Sequence, residues 1–236
     1  MSSTTTEAVV LRVIRYSDSQ SILHLYTKDF GRIAAMVRRN RKKGSFNYYQ
    51  PLFHLSFEIN HQNQKTIQRI SQIRFAAPYR HIPFSVTKAT VAQFLAEILS
   101  KVIPEHEPDQ ELFSFLTSAF HLFDQQTNNF NAFHVVFLVH LTRFLGFYPG
   151  QRGEASSYFS PSEGTYVGQI MHDTIPQNIS EPFDELLQTK ISAFYKLRLE
   201  HDVLQELLSR ILDFYRIHLN VNQLKSYDIL KQVFNH

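Results

Sequence analysis

The hydrophobic periodicity of this chain changes once, near residue 80, and this change constrains the fold more than any other feature. Before it, apolar and polar residues alternate, as in "FHLSFEI" at residues 53–59. After it, apolar residues recur at helical spacing, first from Val86 to Val102. A strand period followed by a helix period predicts an α+β chain, with a strand-rich domain at residues 1–80 and a helical domain at residues 81–236.

The first domain is predicted to be a small closed barrel. Turn signals such as "KDFG" and "HQNQ" divide its apolar runs into five short segments. The predicted strands are residues 8–16, 20–27, 32–39, 53–59 and 65–75. Five short strands favour a barrel over an open sheet, because closure removes exposed strand edges.

The helical domain is predicted to contain a small hairpin. Asp109 is suited to cap a second helix, and Phe130–Phe144 carries the apolar spacing of a third. Residues 150–178 break that spacing, and "YFSPSEGTYV" within them is typical of a hairpin. Ser180 is predicted to cap the next helix, with a proline in its first turn, and the last long helix is predicted at residues 203–219.

Charge is divided unevenly between the two domains. The chain has 24 Lys and Arg against 21 Asp and Glu, which gives a net charge of +3. Residues 1–80 carry 13 of the basic residues and 4 of the acidic ones, whereas residues 81–236 carry 11 and 17. The first domain is therefore expected to attract a polyanion, and the second to repel it.

The basic residues are densest directly after the third predicted strand. Five cations fall within six positions, no acid lies between them, and two tyrosines follow. These residues are Arg38, Arg39, Arg41, Lys42 and Lys43, with Tyr48 and Tyr49. Neighbouring cations repel one another unless an anion relieves them, and tyrosine rings stack on unpaired bases. Charge runs also occur as plain solvated loops, but the position of this one on a basic barrel favours a nucleic-acid contact.

Other arginines are candidates for the same surface or for a different one. Arg12 and Arg15 belong to the first predicted strand, and Arg69 and Arg74 to the fifth, where they would extend the basic surface if they face it. Arg143 lies near the end of the third predicted helix, where a cation complements the helix dipole. The alternative for Arg143 is a contact with a carboxylate of a partner protein.

The sequence argues against catalysis, metal binding and a membrane location. It has no cysteine, only seven glycines, and neither a HExxH motif, a GxSxG motif nor a Gly-rich phosphate loop. No catalytic residue, metal site or cofactor is therefore predicted. The apolar runs are too short to span a bilayer, and the first residues do not have the pattern of a signal peptide. A soluble cytoplasmic protein is predicted.

Several segments form an ordered series of motifs. The series begins with "AVVLRVIRYSDSQSILHLYTKDFGRIAAMVRR" and "YQPLFHLSFEI". It continues in the helical domain with "HLTRFLGFYP" and "YFSPSEGTYV", and it ends with "LLSRILDFYRIHL" and "LKSYDIL". Each motif is weak singly, but their order and spacing over nearly the whole chain resemble the RecO family of bacterial recombination mediators.

This resemblance implies a fold, a function and a set of partners. It implies that the barrel is an OB-fold, and that the protein binds single- and double-stranded DNA and anneals complementary strands. It implies action in DNA repair with RecR and single-stranded DNA-binding protein, in loading the RecA recombinase, and hence a place at the nucleoid. It also implies that the stretch Arg38, Arg39, Arg41, Lys42 and Lys43 contacts DNA.

The chain departs from many members of that family in one respect. Those members hold a four-cysteine zinc module after the third helix of the helical domain, whereas this chain has no cysteine. The small hairpin is therefore expected to be held by packing, for instance of Tyr158, Phe159 and Tyr166. Partner contacts that relatives make through the metal module are put in question for this chain.

Two other functions stay open on the sequence alone. A protein-interaction adaptor would use the basic face of the barrel to meet an acidic protein. An RNA-binding barrel would use the same stacking and phosphate contacts as a DNA-binding one, since composition does not distinguish the two ligands.

Overall fold

The structure, a computed structural model, shows two compact units. One comprises Met1–Gln125 together with Leu224–His236, and the other comprises Gln126–Gln223. The residues that the structure describes are 3–38, 49–105, 107–153 and 157–234. The predicted boundary between a strand-rich domain at residues 1–80 and a helical domain at residues 81–236 stays a prediction.

A closed barrel of five strands opens the first unit and confirms the predicted fold class. The strands are β1 (Thr4–Arg15), β2 (Gln20–Thr27), β3 (Gly31–Arg38), β4 (His54–Ile59) and β5 (Ile67–Ala77). Their order around the barrel is β1-β2-β3-β5-β4. Neighbouring strands are antiparallel except β3 and β5, which run parallel. Pairing of β1 with β4 and of β3 with β5 closes the sheet.

The barrel closes around an apolar core because its strands alternate. In β4, Leu55, Phe57 and Ile59 are buried, as the alternation predicts. Leu25 of β2 and Ala35 of β3 are fully buried as well. A shift of the strand register by one residue would expose these apolar side chains to solvent. Their burial therefore fixes the register of the strands.

The turn between β2 and β3 requires glycine at its end. Gly31 has a φ of +64°, and a Cβ atom there would lie 2.7 Å from the backbone nitrogen of Glu107. Both the conformation and the lack of space exclude a side chain. The predicted turn is confirmed, and the following strand begins at Gly31 rather than at Arg32.

Helices form most of the remaining described chain. They are α1 (Val86–Val102), α2 (Gln110–Gln125), α3 (Phe133–Leu141), α4 (Gln177–Gln188), α5 (His201–Leu219) and α6 (Lys225–Phe234), with short 3-10 helices at Ile82–Phe84 and Ile191–Lys196. The predicted cap of α2 is confirmed: Oδ1 of Asp109 accepts a hydrogen bond from the backbone N–H of Leu112, at 2.9 Å. None of the described helices combines the length and the apolar character needed to cross a membrane.

Within the first unit, one carboxylate and one ammonium group fix the segment between the barrel and α1. The Asp124 carboxylate accepts hydrogen bonds from the three backbone N–H groups of residues 80–82, each at 2.8 Å. Lys88 is buried and donates to the backbone oxygens of Phe123 and Asp124, at 2.7 and 2.9 Å. These bonds hold the chain after β5 against the end of α2, and they thereby fix the position of the first turn of α1.

The periodicity of the sequence does not predict α6, which packs on α1. The Glu97 carboxylate of α1 accepts hydrogen bonds from the backbone N–H groups of Lys225 and Ser226, at 3.0 and 2.9 Å. It thus satisfies the free N–H groups at the start of α6. Burial raises the pKa of Glu97, but the hydrogen bonds from Ser226 and Lys225 outweigh burial and hold that pKa below its usual value. Because this cap lies 128 positions away from Lys225, local sequence carries no sign of it.

In the second unit, α3 is shorter than predicted. All of its residues, Phe133–Leu141, are buried. The chain turns on either side of it, where Phe133 donates to the carbonyl of Phe130 and Leu145 donates to that of Thr142. A helix buried all round has no amphipathic stripe, so its ends cannot be located from one.

The predicted hairpin of the second unit is confirmed. Its strands are β6 (Tyr158–Ser160) and β7 (Thr165–Val167), which pair antiparallel. Phe159 and Tyr166 are buried, and the Phe159 ring centre lies 4.5 Å from that of Phe183. Tyr158 is only half-buried. The hairpin is therefore held by aromatic packing, chiefly through Phe159.

The predicted cap at Ser180 is wrong. The helix α4 begins at Gln177, after Pro176, so Ser180 lies inside it. The Ser180 hydroxyl accepts a hydrogen bond from the backbone N–H of Phe159, at 3.1 Å, and donates one to the carbonyl of Ile175, at 3.0 Å. Ser180, which the sequence predicts at the start of a helix, therefore lies within α4 and links this helix to the hairpin.

Candidate nucleic-acid interface

A groove of about 900 Å³ opens on the barrel where β1 ends, β2 begins and β3 ends. Its far wall is β5, which runs parallel to β3. The strand registers bring these pieces together, because Gln20 lies opposite Arg38 and Met36 lies opposite Arg69. The described residues that line the groove are Tyr16, Gln20, Met36, Val37, Arg38, Tyr49 and residues 67–73.

Two exposed arginines line this groove. Arg38 is the last residue of β3, Arg69 lies on β5, and both are exposed to solvent. Among the described residues of the lining there is no Asp or Glu, and neither arginine forms an ion pair within the described part of the chain. Their positive charges are therefore available to an anion.

Two tyrosines accompany the arginines. Tyr16 directly follows β1 and is 63% exposed. Tyr49 is half-buried, and its hydroxyl donates a hydrogen bond to the carbonyl oxygen of Arg38, at 3.3 Å. Aromatic rings beside cations are the combination that holds unpaired bases together with their phosphates.

A β-bulge shapes the wall that β5 contributes. Between the pairs Ser56–Arg74 and Glu58–Ser71, β5 has one residue more than β4. Gln72, inside this interval, has a φ of +51°. Bulges bend a strand and redirect its side chains, and they are frequent next to binding sites. The groove therefore has a polar, irregular wall at residues 71 and 72.

The structure brings two of the predicted contact residues, Arg38 and Tyr49, into the groove. The described chain stops at Arg38 and resumes at Tyr49, so the residues on both sides of the basic segment line the groove. The other predicted contact residues of that segment lie outside the described residues: Arg39, Arg41, Lys42, Lys43 and Tyr48. Their role stays a prediction.

Arg12 and Arg15 lie elsewhere on the barrel. Arg12, on β1, is paired in register with His24 of β2. Burial lowers the pKa of His24, and the nearby charge of Arg12 lowers that pKa further. Arg15 forms an exposed ion pair with Asp18, so its charge is already offset. Neither arginine lines the groove, and their contact with DNA stays a prediction.

Sequence reasoning does not single out Tyr16. The only signal is its position, since an aromatic residue stands between Arg15 and the polar turn that begins at Ser17. For Arg69, the sequence offers no way to choose a face, because that face depends on how β5 pairs with β3. The pairing joins strands that are not consecutive in the chain, so the sequence names Arg69 as a candidate and only the structure shows that it lines the groove.

The second unit has a cavity of its own, of about 850 Å³, beside the chain that follows α3. Arg143 lies in its lining with its guanidinium 4.2 Å from the centre of the Tyr148 ring. It also donates a hydrogen bond to the Tyr148 hydroxyl, at 2.9 Å. Arg152 and Lys190 add positive charge to the lining, and Asp184 adds a negative charge. Arg143 is thus held by Tyr148, and its predicted contact with a partner stays a prediction.

The hairpin of the second unit does not fit a four-cysteine zinc module. The chain has no cysteine, and the described residues contain no cluster of three or more His, Asp or Glu side chains suited to a metal. The Asp173 carboxylate instead accepts hydrogen bonds from the Ser160 hydroxyl and the Ser162 backbone N–H, at 3.1 and 2.8 Å. Burial raises the pKa of Asp173, but the hydrogen bonds from Ser162 and Ser160 outweigh burial and hold it below the usual value.

A small closed five-stranded barrel, with cations and tyrosines at its strand ends and helices after it, defines an OB-like barrel protein with an added helical domain. Residues 1–79 match the family described as Recombination protein O N terminal, and residues 83–228 match the family described as Recombination protein O C terminal. The chain therefore belongs to the RecO family of DNA repair proteins, as the order of its sequence motifs indicates.

Curated relatives align with almost the whole chain and share one name, DNA repair protein RecO. The chain is 31% identical over 236 residues to the protein of Flavobacterium johnsoniae, and 30% identical over 238 residues to that of Bacteroides fragilis. It is 29% identical over 237 residues to the protein of Azobacteroides pseudotrichonymphae. Each of these alignments covers 98% of this chain and 98% of the relative.

Proposed function

We propose that this chain is a non-enzymatic, DNA-binding mediator of recombination. Its residues 1–80 bind single- and double-stranded DNA and anneal complementary strands. Its residues 81–236 dock RecR and single-stranded DNA-binding protein, and so help to load RecA onto coated single strands at the nucleoid. No metal or other cofactor takes part in this proposal.

The observation that supports this proposal most is the composition of the barrel groove. Arg38 and Arg69 carry charges that no described carboxylate of the lining offsets, and Tyr16 presents an exposed ring next to them. The segment with the remaining four cations begins immediately after Arg38. A groove of this kind follows a sugar-phosphate backbone and stacks on its bases.

The chemistry of such a groove favours affinity without sequence choice. Each phosphate that a Lys or Arg neutralises releases condensed counterions, and this release supplies most of the non-specific affinity of a protein for nucleic acid. Stacking on tyrosine tolerates any base, because every base has an aromatic face. Annealing follows from the same charges: two strands with neutralised backbones approach each other, and base pairing then drives them together.

For Arg143, we propose a contact with a carboxylate of a partner protein. The hydrogen bond to Tyr148 orients the guanidinium at an open cavity. An oriented guanidinium binds a carboxylate through two parallel hydrogen bonds. This assigns protein docking to the acidic part of the chain and DNA binding to the basic part.

The test is a titration of labelled single-stranded DNA at several salt concentrations. The variant replaces five residues with alanine: Arg38, Arg39, Arg41, Lys42 and Lys43. The slope of log affinity against log salt is negative. Each lost phosphate contact reduces its magnitude by about 0.7 for single strands, so the magnitude is expected to fall by up to about 3.5. The thermal unfolding temperature is expected to stay within a few degrees of the wild type. An unchanged slope would show that this segment does not contact DNA.

The same titration separates the two alternative functions. An adaptor for acidic proteins retains little single-stranded DNA and binds an acidic polypeptide instead. An RNA-binding barrel prefers an RNA strand to a DNA strand of equal sequence. DNA binding that is at least as tight as RNA binding, with a steep salt dependence, is the result expected here.

A further inference from the structure

A second, smaller cavity lies on the barrel, between the turn from β2 to β3 and the turn from β4 to β5. Its volume is about 280 Å³, and its lining includes Phe30 of the first turn and His61 and Lys65 of the second. Sites for small molecules usually have volumes of about 300–1,000 Å³. The cavity therefore suits a ligand smaller than those, such as a single nucleobase.

Two stacked rings form one side of this cavity. The ring centres of Phe30 and His61 lie 4.5 Å apart, and the ring planes are inclined by only 17°. Both residues are partly exposed, so the pair is accessible from the cavity. Such rings are the surface on which an unpaired base stacks, irrespective of its identity.

Side-chain hydrogen bonds hold both turns in place. The Thr27 hydroxyl accepts from the backbone N–H of Phe30 and donates to the carbonyl of Gly31, at 2.9 and 2.8 Å. The buried Gln68 side chain donates to the carbonyls of Gln62 and Lys65, at 2.9 and 2.8 Å. It also accepts from the backbone N–H of Gln62, at 3.0 Å. The walls of the cavity are therefore already ordered, which removes part of the entropic cost of binding.

The small cavity and the groove lie along the same strand seam. Gln68 lines both of them. The seam is the parallel pairing of β3 with β5, in which Ala34 lies opposite Ile67 and Met36 opposite Arg69. Ala34 lines the small cavity and Arg38 lines the groove, and the strand between them rises about 13 Å.

We infer that the small cavity holds one unpaired base of a single DNA strand whose backbone continues along the β3–β5 seam into the groove. The base lies against the Phe30–His61 pair, and the ammonium group of Lys65 lies beside a phosphate. A base inside a duplex is not free to enter, so this cavity adds affinity for single strands only. The inference rests on the proposed function, because it requires the groove to bind the same strand.

The competing explanation is that Phe30 and His61 stack only to join two turns of the barrel. The two explanations differ in their effect on ligands. A purely structural pair contributes equally to the binding of every nucleic acid, whereas a base-binding pair contributes only when an unpaired base is present. Removal of the bases from the ligand therefore separates them.

The experiment measures affinity for three ligands of equal length: an oligothymidine, an abasic tetrahydrofuran oligonucleotide and a duplex. The variants are Phe30→Leu, which keeps an apolar side chain without an aromatic face, and His61→Ala, which alters a partly exposed turn. The control is Phe84→Leu, since Phe84 is 74% exposed and lines neither cavity. Thermal unfolding is measured for each variant, and His61→Ala decides the matter if Phe30→Leu is unstable.

Both variants are expected to lose oligothymidine affinity, by up to about 150-fold if the entire stacking contribution is removed. Affinity for the abasic strand and the duplex, and the slope of log affinity against log salt, are expected to match the Phe84→Leu control. Equal losses on all three ligands, or no loss on oligothymidine, overturn the inference. Failure of the proposed function has a different result, since the wild-type protein would then show no steep salt dependence for any of the three.

Discussion

The barrel groove and the cavity of the second unit are close in volume, about 900 and 850 Å³, and arginine and tyrosine line both. They differ in the surroundings of the arginines. In the second unit, Arg143 donates a hydrogen bond to Tyr148, and Asp184 adds a negative charge to the lining. In the groove, no described residue of the lining offsets Arg38 and Arg69. Arginine beside tyrosine therefore occurs at both places; the two linings differ in that the described lining of the groove contains no carboxylate, whereas that of the second cavity contains Asp184.

The two regions are also expected to respond to different variables. The proposed binding of DNA by the groove depends on exposed charges, and salt screens such charges. The stability of the second unit depends on buried aromatic rings and on histidines, His134 and His140, whose pKa burial lowers. Loss of a buried ring or protonation of a buried histidine should therefore act on the second unit, and a change of salt mainly on the groove.

The largest expected effect is that of Phe159→Ala on the second unit. The Phe159 ring centre lies between 4.5 and 5.7 Å from those of Phe183, Tyr166 and Phe214. Loss of a buried Phe side chain destabilises a protein by about 3–5 kcal/mol, because a cavity remains. The free energy of unfolding from denaturant titration checks this value, with Phe84→Ala as an exposed control.

The same experiment tests whether packing replaces a metal in the hairpin. A chelator should leave the unfolding of the wild type unchanged, and Phe159→Ala should leave the salt slope of DNA binding unchanged under native conditions. A loss below about 1 kcal/mol would contradict the role of Phe159. A chelator effect would contradict the claim that β6 and β7 are held by packing rather than by a metal.

The second effect concerns pH and His134 of α3. Burial lowers the pKa of His134 from 6.5 to about 4. Because the unfolded chain then binds the proton more readily, the stability present above pH 6.5 is lost as the pH falls towards 4. The loss amounts to about 3 kcal/mol by the relation between pKa shift and free energy. The measurement is the free energy of unfolding at pH 7.5 and at pH 4.

A His134→Gln variant is the matched comparison, since it retains a polar side chain that does not titrate. Its free energy of unfolding should fall by less than that of the wild type over the same interval. Some pH dependence should persist, because burial also lowers the pKa of His140. Equal losses in the two proteins would show that His134 is not the group responsible.

The third effect compares the two arginine pairs directly. Replacement of Arg38 and Arg69 with alanine is expected to lower the salt slope for single-stranded DNA by about 1.4, which corresponds to about 25-fold in affinity at 0.1 M salt. Replacement of Arg143 and Arg152 is expected to leave the slope unchanged. A fall of equal size in both variants would remove the distinction between the two regions.

Whether a feature can be predicted from the sequence depends on how far apart in the chain the interacting residues lie. The alternation in β4 and the Asp109 cap of α2 depend on residues within a few positions of each other, and both are confirmed. The cap of α6 by Glu97 and the bond from Phe159 to Ser180 join distant segments, and no local pattern shows them. Sequence therefore predicts elements better than it predicts the bonds that join them.

The candidate site divides in the same way. The density of basic residues after β3 is a local property, and it led directly to Arg38 and Tyr49 in the groove. Arg69 and the bulge at Gln72 enter the groove only because β5 pairs with β3 across the 28 residues between Arg38 and Ile67, a pairing that single-sequence periodicity does not specify. The local density of basic residues thus predicts the region of the site, and the pairing of β3 with β5 determines which other residues line it.

The smallest expected effect tests whether uncompensated charge is the property that matters. Arg15 is close in sequence to Tyr16, but its exposed ion pair with Asp18 offsets its charge. Arg15→Ala should therefore lower the salt slope by less than the value of about 0.7 expected for one full phosphate contact. Asp18→Asn should act in the opposite direction, because it frees the guanidinium, with a gain of at most about fivefold in affinity at 0.1 M salt. A full reduction of about 0.7 for Arg15→Ala would mean that DNA displaces Asp18 and that the interface includes Arg15, which does not line the groove.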